Sequence, residues 1–216
     1  MHRLVAAGGQ FCILLTTFAM NPTMQPNDVL AALRDATAQQ HALLDADLPL
    51  SQADASLQDY CDHLLMLRAW LVPIEHWLAG FDDGPQGPAG PPPVLRSSLI
   101  DADLALPPIV QMPPRATAPA PAAWPPGASA AYRWGVCYVI EGAQLGGAVL
   151  YRRLNAQLAP HPLNYLKGSV DGPGPRWRVF IDALRDQLRD HEQIADACAG
   201  ASDAFDRVLA LRRLGR

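Results

Sequence analysis

Inside an otherwise strong helical pattern, the stretch Glu141-Gly142-Ala143-Gln144-Leu145-Gly146-Gly147 carries three glycines within six residues. Each interior glycine costs a helix about 1 kcal/mol relative to alanine, so the three together cost about 3 kcal/mol. One reason for such a cost is packing: Gly142 and Gly146 are four apart and would let another helix approach closely. The other is a bent helix whose bare backbone approaches a flat ligand. A second oddity is His41, on an apolar helix face with Leu30, Leu33, Thr37, Leu44 and Leu48. An imidazole there could ligate a haem iron through a ring nitrogen, or it could be a core histidine hydrogen-bonded to a backbone carbonyl. Asp45, one turn later, reads as a partner for that histidine, a partner for a neighbouring helix, or a solvated acid.

The other chemistry-bearing residues are less pointed. His2, His63, His76, His161 and His191 show no paired metal spacing and read as structural or surface groups. Cys12, Cys61, Cys137 and Cys198 stand far apart with no CxxC or zinc-type spacing, which argues against a disulfide framework or a structural metal. Scattered cysteines suit a reducing compartment, where they act as small apolar residues. The net charge of −4 gives no hint of a nucleic-acid surface.

The elements that must position these residues are helical. At 216 residues, half of them hydrophobic and 18% charged, the chain suits one large soluble domain. Residues 1–24 read as a dispensable or mis-assigned leader, because the apolar run at 11–15 is too short to span a membrane and Met20 or Met24 could be the true start. The domain proper is expected over 25–216. A first helix is capped by Asn27 or Asp28 and ends near Ala46. A second covers 56–78, with Ser56 and Asp59 as a capping box and Pro73 expected to kink or split it. Its inward set is Leu57, Tyr60, Cys61, Leu64, Leu67, Leu71 and Leu78. Thirteen of the 21 prolines fall within 84–127, read as surface loops of polyproline character around a helical island at 96–104. Helix resumes over 130–158, then 176–199 and 203–214, and no segment alternates as a strand. The expected class is all-α, a single-domain bundle of six to eight helices.

Taken together, two segments give the chain a resemblance. Leu33-Arg34-Asp35-Ala36-Thr37-Ala38-Gln39-Gln40-His41 is similar to the segment leading to the proximal histidine of the haem oxygenase family. Tyr138-Val139-Ile140-Glu141-Gly142-Ala143-Gln144-Leu145-Gly146-Gly147 is similar to the distal-helix signature of its bacterial, bacteriophytochrome-associated members. Weaker echoes lie at 60–75, 96–104 and 176–180, and the two main motifs stand in order about 100 residues apart. The resemblance implies a haem oxygenase-like helical domain that clamps haem between these helices. It implies oxidative opening of haem to biliverdin, carbon monoxide and ferrous iron, with haem as both substrate and cofactor. His41 would be the axial iron ligand, and Gly142, Gly146 and Gly147 would let the distal helix bend over the other haem face. Arg34, Tyr138 and Arg178 are the candidate propionate partners, or else plain surface or packing groups. Ala143 departs from the pattern, since many bacterial relatives carry a small hydroxyl residue there. The distal water network would then hang on backbone carbonyls, or on Gln144 if it points inward. The Pro-rich insert is also longer than the family pattern leads one to expect.

Three readings follow: a haem oxygenase, a non-catalytic haem-binding protein for storage or delivery, and a helical interaction protein without haem. No GxGxxG fingerprint occurs, so the enzyme reading needs an external electron donor, a ferredoxin or a reductase. Arg152 and Arg153 are candidates for its docking patch, or plain solvated charges. A bacteriophytochrome is the implied biliverdin acceptor. Neither nucleic acid nor membrane is expected as a partner, and a cytoplasmic setting is expected.

Overall fold

Capping explains where the helices start, and glycine explains how closely two of them approach. The computed structural model describes residues 28–46, 48–112 and 123–214, and it has no strand among the described residues. The expected leader at 1–24 and the middle of the Pro-rich stretch lie outside the described residues. Helix α1 (Val29–Ala46) begins after Asp28, whose Oδ1 accepts the Leu30 N–H at 3.1 Å. Helix α2 (Leu57–Leu78) opens with the expected capping box, Asp59 N–H to Ser56 Oγ at 3.2 Å and Ser56 N–H to Asp59 Oδ2 at 2.8 Å. It runs through Pro73 without splitting. The adjacent Leu71 and Ile74 are fully buried, and two such side chains together outweigh the roughly 3 kcal/mol an interior proline costs.

Helix α3 (Arg96–Leu104) is the island read from the sequence, and a neighbouring helix supplies its cap. Glu75 of α2 accepts the Arg96 and Ser97 N–H groups through Oε1 at 2.7 and 3.1 Å, and the Ser97 hydroxyl donates to its Oε2. Helix α4 (Ala130–Leu154) starts at Ser129, whose Oγ accepts the Tyr132 N–H at 3.0 Å. It ends four residues before the expected limit. A single short turn, α5 (Asn164–Lys167), and α6 (Gly174–Gln187) follow, and α7 (His191–Leu214) closes the described chain.

The late helices break elsewhere than the sequence suggested. The gap falls at 188–190, and α7 runs unbroken through Gly200. Asp190 Oδ1 accepts the Gln193 N–H at 2.8 Å while Gln193 Oε1 accepts the Arg189 N–H at 3.0 Å, a capping arrangement that starts α7 there. Gly200 is a packing glycine: a Cβ on it would fall 2.1 Å from the Tyr132 carbonyl oxygen, and one on Gly135 would fall 1.8 Å from that of Ala197. Helices α4 and α7 therefore touch backbone to backbone, and α7 also packs along α1. The Pro-rich stretch is not wholly surface either. Trp124 is buried, stacked on Trp77 at 5.0 Å, with the Arg207 guanidinium 4.0 Å above its ring.

Candidate active site

Helix α1 changes its task along its length. Leu30, Leu33 and Thr37 are buried in the core, and the Thr37 hydroxyl donates to the Leu33 carbonyl at 2.7 Å. One turn on, His41, Leu44 and Asp45 are half-buried and line a cleft. The cleft holds about 1170 Å³ of empty space, its open mouth included, between α1, α2, α4 and α7. It is mostly apolar, with few polar groups, as small-molecule sites usually are.

His41 Nδ1 lies 3.0 Å from Asp45 Oδ2, and its ring meets Phe205 edge-on at 6.0 Å between centroids. With Nδ1 committed to Asp45, Nε2 is the nitrogen left for a ligand. The carboxylate contact raises the His41 pKa, against an opposing effect of burial. Among the described residues His41 makes no hydrogen bond to a backbone carbonyl, and Asp45 is the imidazole's partner.

The glycines divide the same way. A Cβ on Gly146 would meet nothing within 4 Å, one on Gly142 only Trp177 at 3.9 Å, and one on Gly147 Leu166 at 3.8 Å. Gly142 and Gly146 serve no tight helix–helix contact, and Gly147 meets α5 only at ordinary van der Waals distance; the close approaches belong to Gly135 and Gly200. All three line the cleft. They do not break α4, which is one helix throughout; they strip side chains from the wall it presents.

Tyr138 lines the cleft one turn before Gly142, with the exposed Arg34 of α1 as the nearby cation that acts on its phenol. Burial raises the Tyr138 pKa and Arg34 partly offsets that. Arg178 is exposed on α6 and does not line the cleft; its neighbour Trp177 does. Among the sequence-selected residues, the structure thus gathers His41, Tyr138 and the glycines around one cavity, sets Arg34 against Tyr138, and leaves Arg178 outside. Arg153 is exposed and donates to the Ser51 carbonyl at 2.6 Å.

Several cleft residues were not selected from the sequence. His63 of α2 lines the cleft, and burial, aided by Arg212, pushes its pKa down to about 4. Its spacing with Leu67 and Trp70, on one helical face, was the available signal. Tyr165 and Leu166 of α5 also line it, and nothing local in the sequence marks them. Gln144 does not point into this cleft; its Nε2 donates to the Tyr165 hydroxyl at 3.3 Å.

Two buried polar clusters hold the glycine wall in place. Glu141, beside Gly142, accepts from Arg96 at 2.6 Å and from Arg176 at 2.9 Å, which ties α4 to α3 and α6. Asp103, fully buried at the end of α3, accepts the Tyr60 hydroxyl at 2.6 Å and the Asn164 and Tyr165 N–H groups at 3.0 and 2.9 Å. Among the described residues no group of three or more His, Cys, Asp or Glu side chains could hold a metal ion. No described helix is long and apolar enough to cross a membrane.

Comparison with known proteins agrees with this architecture. A curated haem oxygenase from Xanthomonas campestris pv. campestris (strain 8004) is 43% identical over 83 residues, or 38% of this chain and 50% of that protein. The chain thus matches about half the length of that relative. The crystal structures of the NO- and CO-bound haem oxygenase from Neisseria meningitidis share the fold at a TM-score of 0.65 and 22% identity, over 87% of this chain and 92% of the other. The family model described as heme oxygenase matches residues 27–212, nearly the whole chain, and the protein belongs to the haem oxygenase family.

Proposed function

We propose that this protein opens haem oxidatively to biliverdin, carbon monoxide and ferrous iron. The observation that carries the reading is one cleft lined by a carboxylate-oriented imidazole on α1 and by three side-chain-free positions on α4. Haem fits that cleft chemically: an apolar lining for the macrocycle, one free imidazole nitrogen for iron, and space where a Cβ would otherwise stand. Once bound, haem supplies the iron that activates oxygen and the ring that is opened, with electrons from an external ferredoxin or reductase.

The chain's own residues then have defined tasks. Asp45 accepts from His41 Nδ1, fixing the tautomer and making Nε2 the more electron-rich donor to iron. Gly142, Gly146 and Gly147 keep side chains off the α4 wall, which would leave room there for a bound macrocycle. Arg34 and Tyr138, neighbours across α1 and α4, would offer a cation and a phenol to the propionates. Arg178 would reach a propionate only across the exposed face of α6. The setting that goes with this reading is cytoplasmic, in keeping with Cys137 and Cys198 standing as free thiols. A bacteriophytochrome is its biliverdin acceptor.

Ala143, apolar and exposed, favours a second reading, haem binding without turnover, for storage or delivery. One experiment separates the two. Purified protein is given one equivalent of haem, then a reductant in air, and its visible spectrum is followed. A Soret band that decays to biliverdin absorption is expected, and a Soret band that persists with a competent reductase would establish the storage reading. In His41→Ala the ligation signature should be lost and return with added imidazole. A variant with an unaltered signature would remove His41 from the iron.

A further inference from the structure

We propose that Tyr165 is the hydrogen-bond donor on the glycine side of the cleft, acting on a small polar ligand held between that wall and His41, and that Gln144 is its positioning residue. The proposal rests on the haem reading of the cleft. At 142, 143, 145, 146 and 147, α4 presents the cleft with glycine, alanine and leucine and no polar side-chain atom. Two hydroxyls flank that bare stretch. Tyr138 stands beside the positive charge of the exposed Arg34. Tyr165 is only 4% exposed, and its oxygen accepts from Gln144 Nε2 at 3.3 Å. Among the described residues its own proton has no acceptor, so it is available to the cleft that the ring lines.

The placement is fixed from three sides. Gln144 is rooted on the α4 turn that carries Ala143, so the phenol oxygen stays within one side chain's reach of that turn. Leu166 of the same short helix lies 3.8 Å from the point where a Gly147 Cβ would stand. Asp103 holds the Tyr165 N–H at 2.9 Å and the Asn164 N–H at 3.0 Å, which nails the first turn of α5 to α3. Leu163, just ahead, takes a left-handed φ of 51° while fully buried, a conformation that persists in a β-carbon residue only when its surroundings impose it. Burial also raises the Tyr165 pKa, so the phenol keeps its proton at neutral pH. A neutral, immobilised phenol donating directly or through one water is suited to stabilising water, hydroxide or a diatomic gas on that side of bound haem.

The test uses the haem-loaded protein and two spectra independent of turnover. The first is the pH midpoint between the water and hydroxide forms of the ferric complex; the second is the C–O stretching band of the ferrous carbonyl. A hydrogen bond of ordinary strength changes such an equilibrium about two- to tenfold, so Tyr165→Phe should raise the midpoint by about 0.3 to 1 pH unit. The C–O band should move to higher wavenumber. Gln144→Leu, which keeps the phenol but frees it, should move both the same way by less, and it serves as the second variant if Tyr165→Phe folds poorly. Tyr60→Phe removes a buried hydroxyl from the Asp103 cluster without lining the cleft, and should move neither. Unmoved spectra in Tyr165→Phe and Gln144→Leu, or an equal shift in Tyr60→Phe, would overturn the assignment to Tyr165 while leaving the haem reading intact. Absence of any Soret band in the unsubstituted protein would instead overturn the haem reading, and this proposal with it.

Discussion

Gly146→Ala should make the haem-free protein more stable and the haem-loaded protein worse. Position 146 lies in the interior of α4, and a Cβ there meets nothing within 4 Å. The substitution therefore gains helix propensity without a clash, about 0.8 to 1 kcal/mol. For a protein of this size that corresponds to a melting temperature about 2 to 4 °C higher. Gly135→Ala, in the same helix, should do the reverse. Its Cβ would sit 1.8 Å from the Ala197 carbonyl oxygen, against backbone that cannot swing aside, and overpacking of that kind costs about 1 to 3 kcal/mol or more. The cleft is where Gly146 matters. Gly146→Leu projects a branched side chain into the space assigned to the macrocycle, and a tenfold loss of haem affinity, about 1.4 kcal/mol, is the least expected. Circular dichroism melts of the haem-free variants and Soret titrations with haem measure the two arms. If Gly146→Ala lowers the melting temperature, the glycine serves packing after all. If Gly146→Leu binds haem and turns over like the parent protein, the bare α4 surface is not the haem wall.

Two further perturbations test the surroundings of the cleft. His63 has a pKa near 4 in the folded protein and about 6.5 when unfolded, so between pH 6.5 and 4 the unfolded chain takes up a proton that the folded one refuses. Stability should fall across that window by up to about 3 kcal/mol. His63→Leu, in haem-free protein unfolded by urea at pH 7 and at pH 4.5, should flatten the difference; an unchanged pH slope would show that His63 titrates normally. Glu141→Leu should destabilise by about 3 to 5 kcal/mol, because it strands the Arg96 guanidinium, whose side chain is 6% exposed, without its counter-charge. Arg96→Met with Glu141→Leu should regain most of the loss, and a double variant as unstable as the single one would mean that lost packing rather than the stranded charge sets the cost.

What the sequence made legible was local. The Ser56–Asp59 box, the apolar face of α1, the island at 96–104 and the glycine excess in α4 each lie within one or two helical turns, where spacing and residue type carry the information. The all-α class followed from those periodicities. The misplaced break in the last helices had a local signal too: the expected gap lay between 199 and 203, whereas the Asp190–Gln193 cap marks the true start. Whether a helical glycine ends a helix, admits a neighbour or bares a wall depends on what lies opposite it, and that partner is far away in the chain. Gly135 and Gly200 face backbone across the α4–α7 contact, while Gly146 faces open space.

The same distinction governs the polar side of the site. His41 and Asp45 are four apart on one helix, so their pairing is open to a sequence reading. Tyr165 meets Gln144 across 21 positions and Asp103 across 62, Arg96 meets Glu141 across 45, and no periodicity records such pairs. Ala143 is the instructive case. Taken alone it looks like a missing polar group and argues against turnover. With α5 pinned by Asp103 against the glycine turn, the polar group is supplied from another helix, and an alanine at 143 leaves the adjacent wall open to a ligand that Tyr165 can reach. The departure at 143 therefore weighs against catalysis only if Tyr165 proves unable to donate.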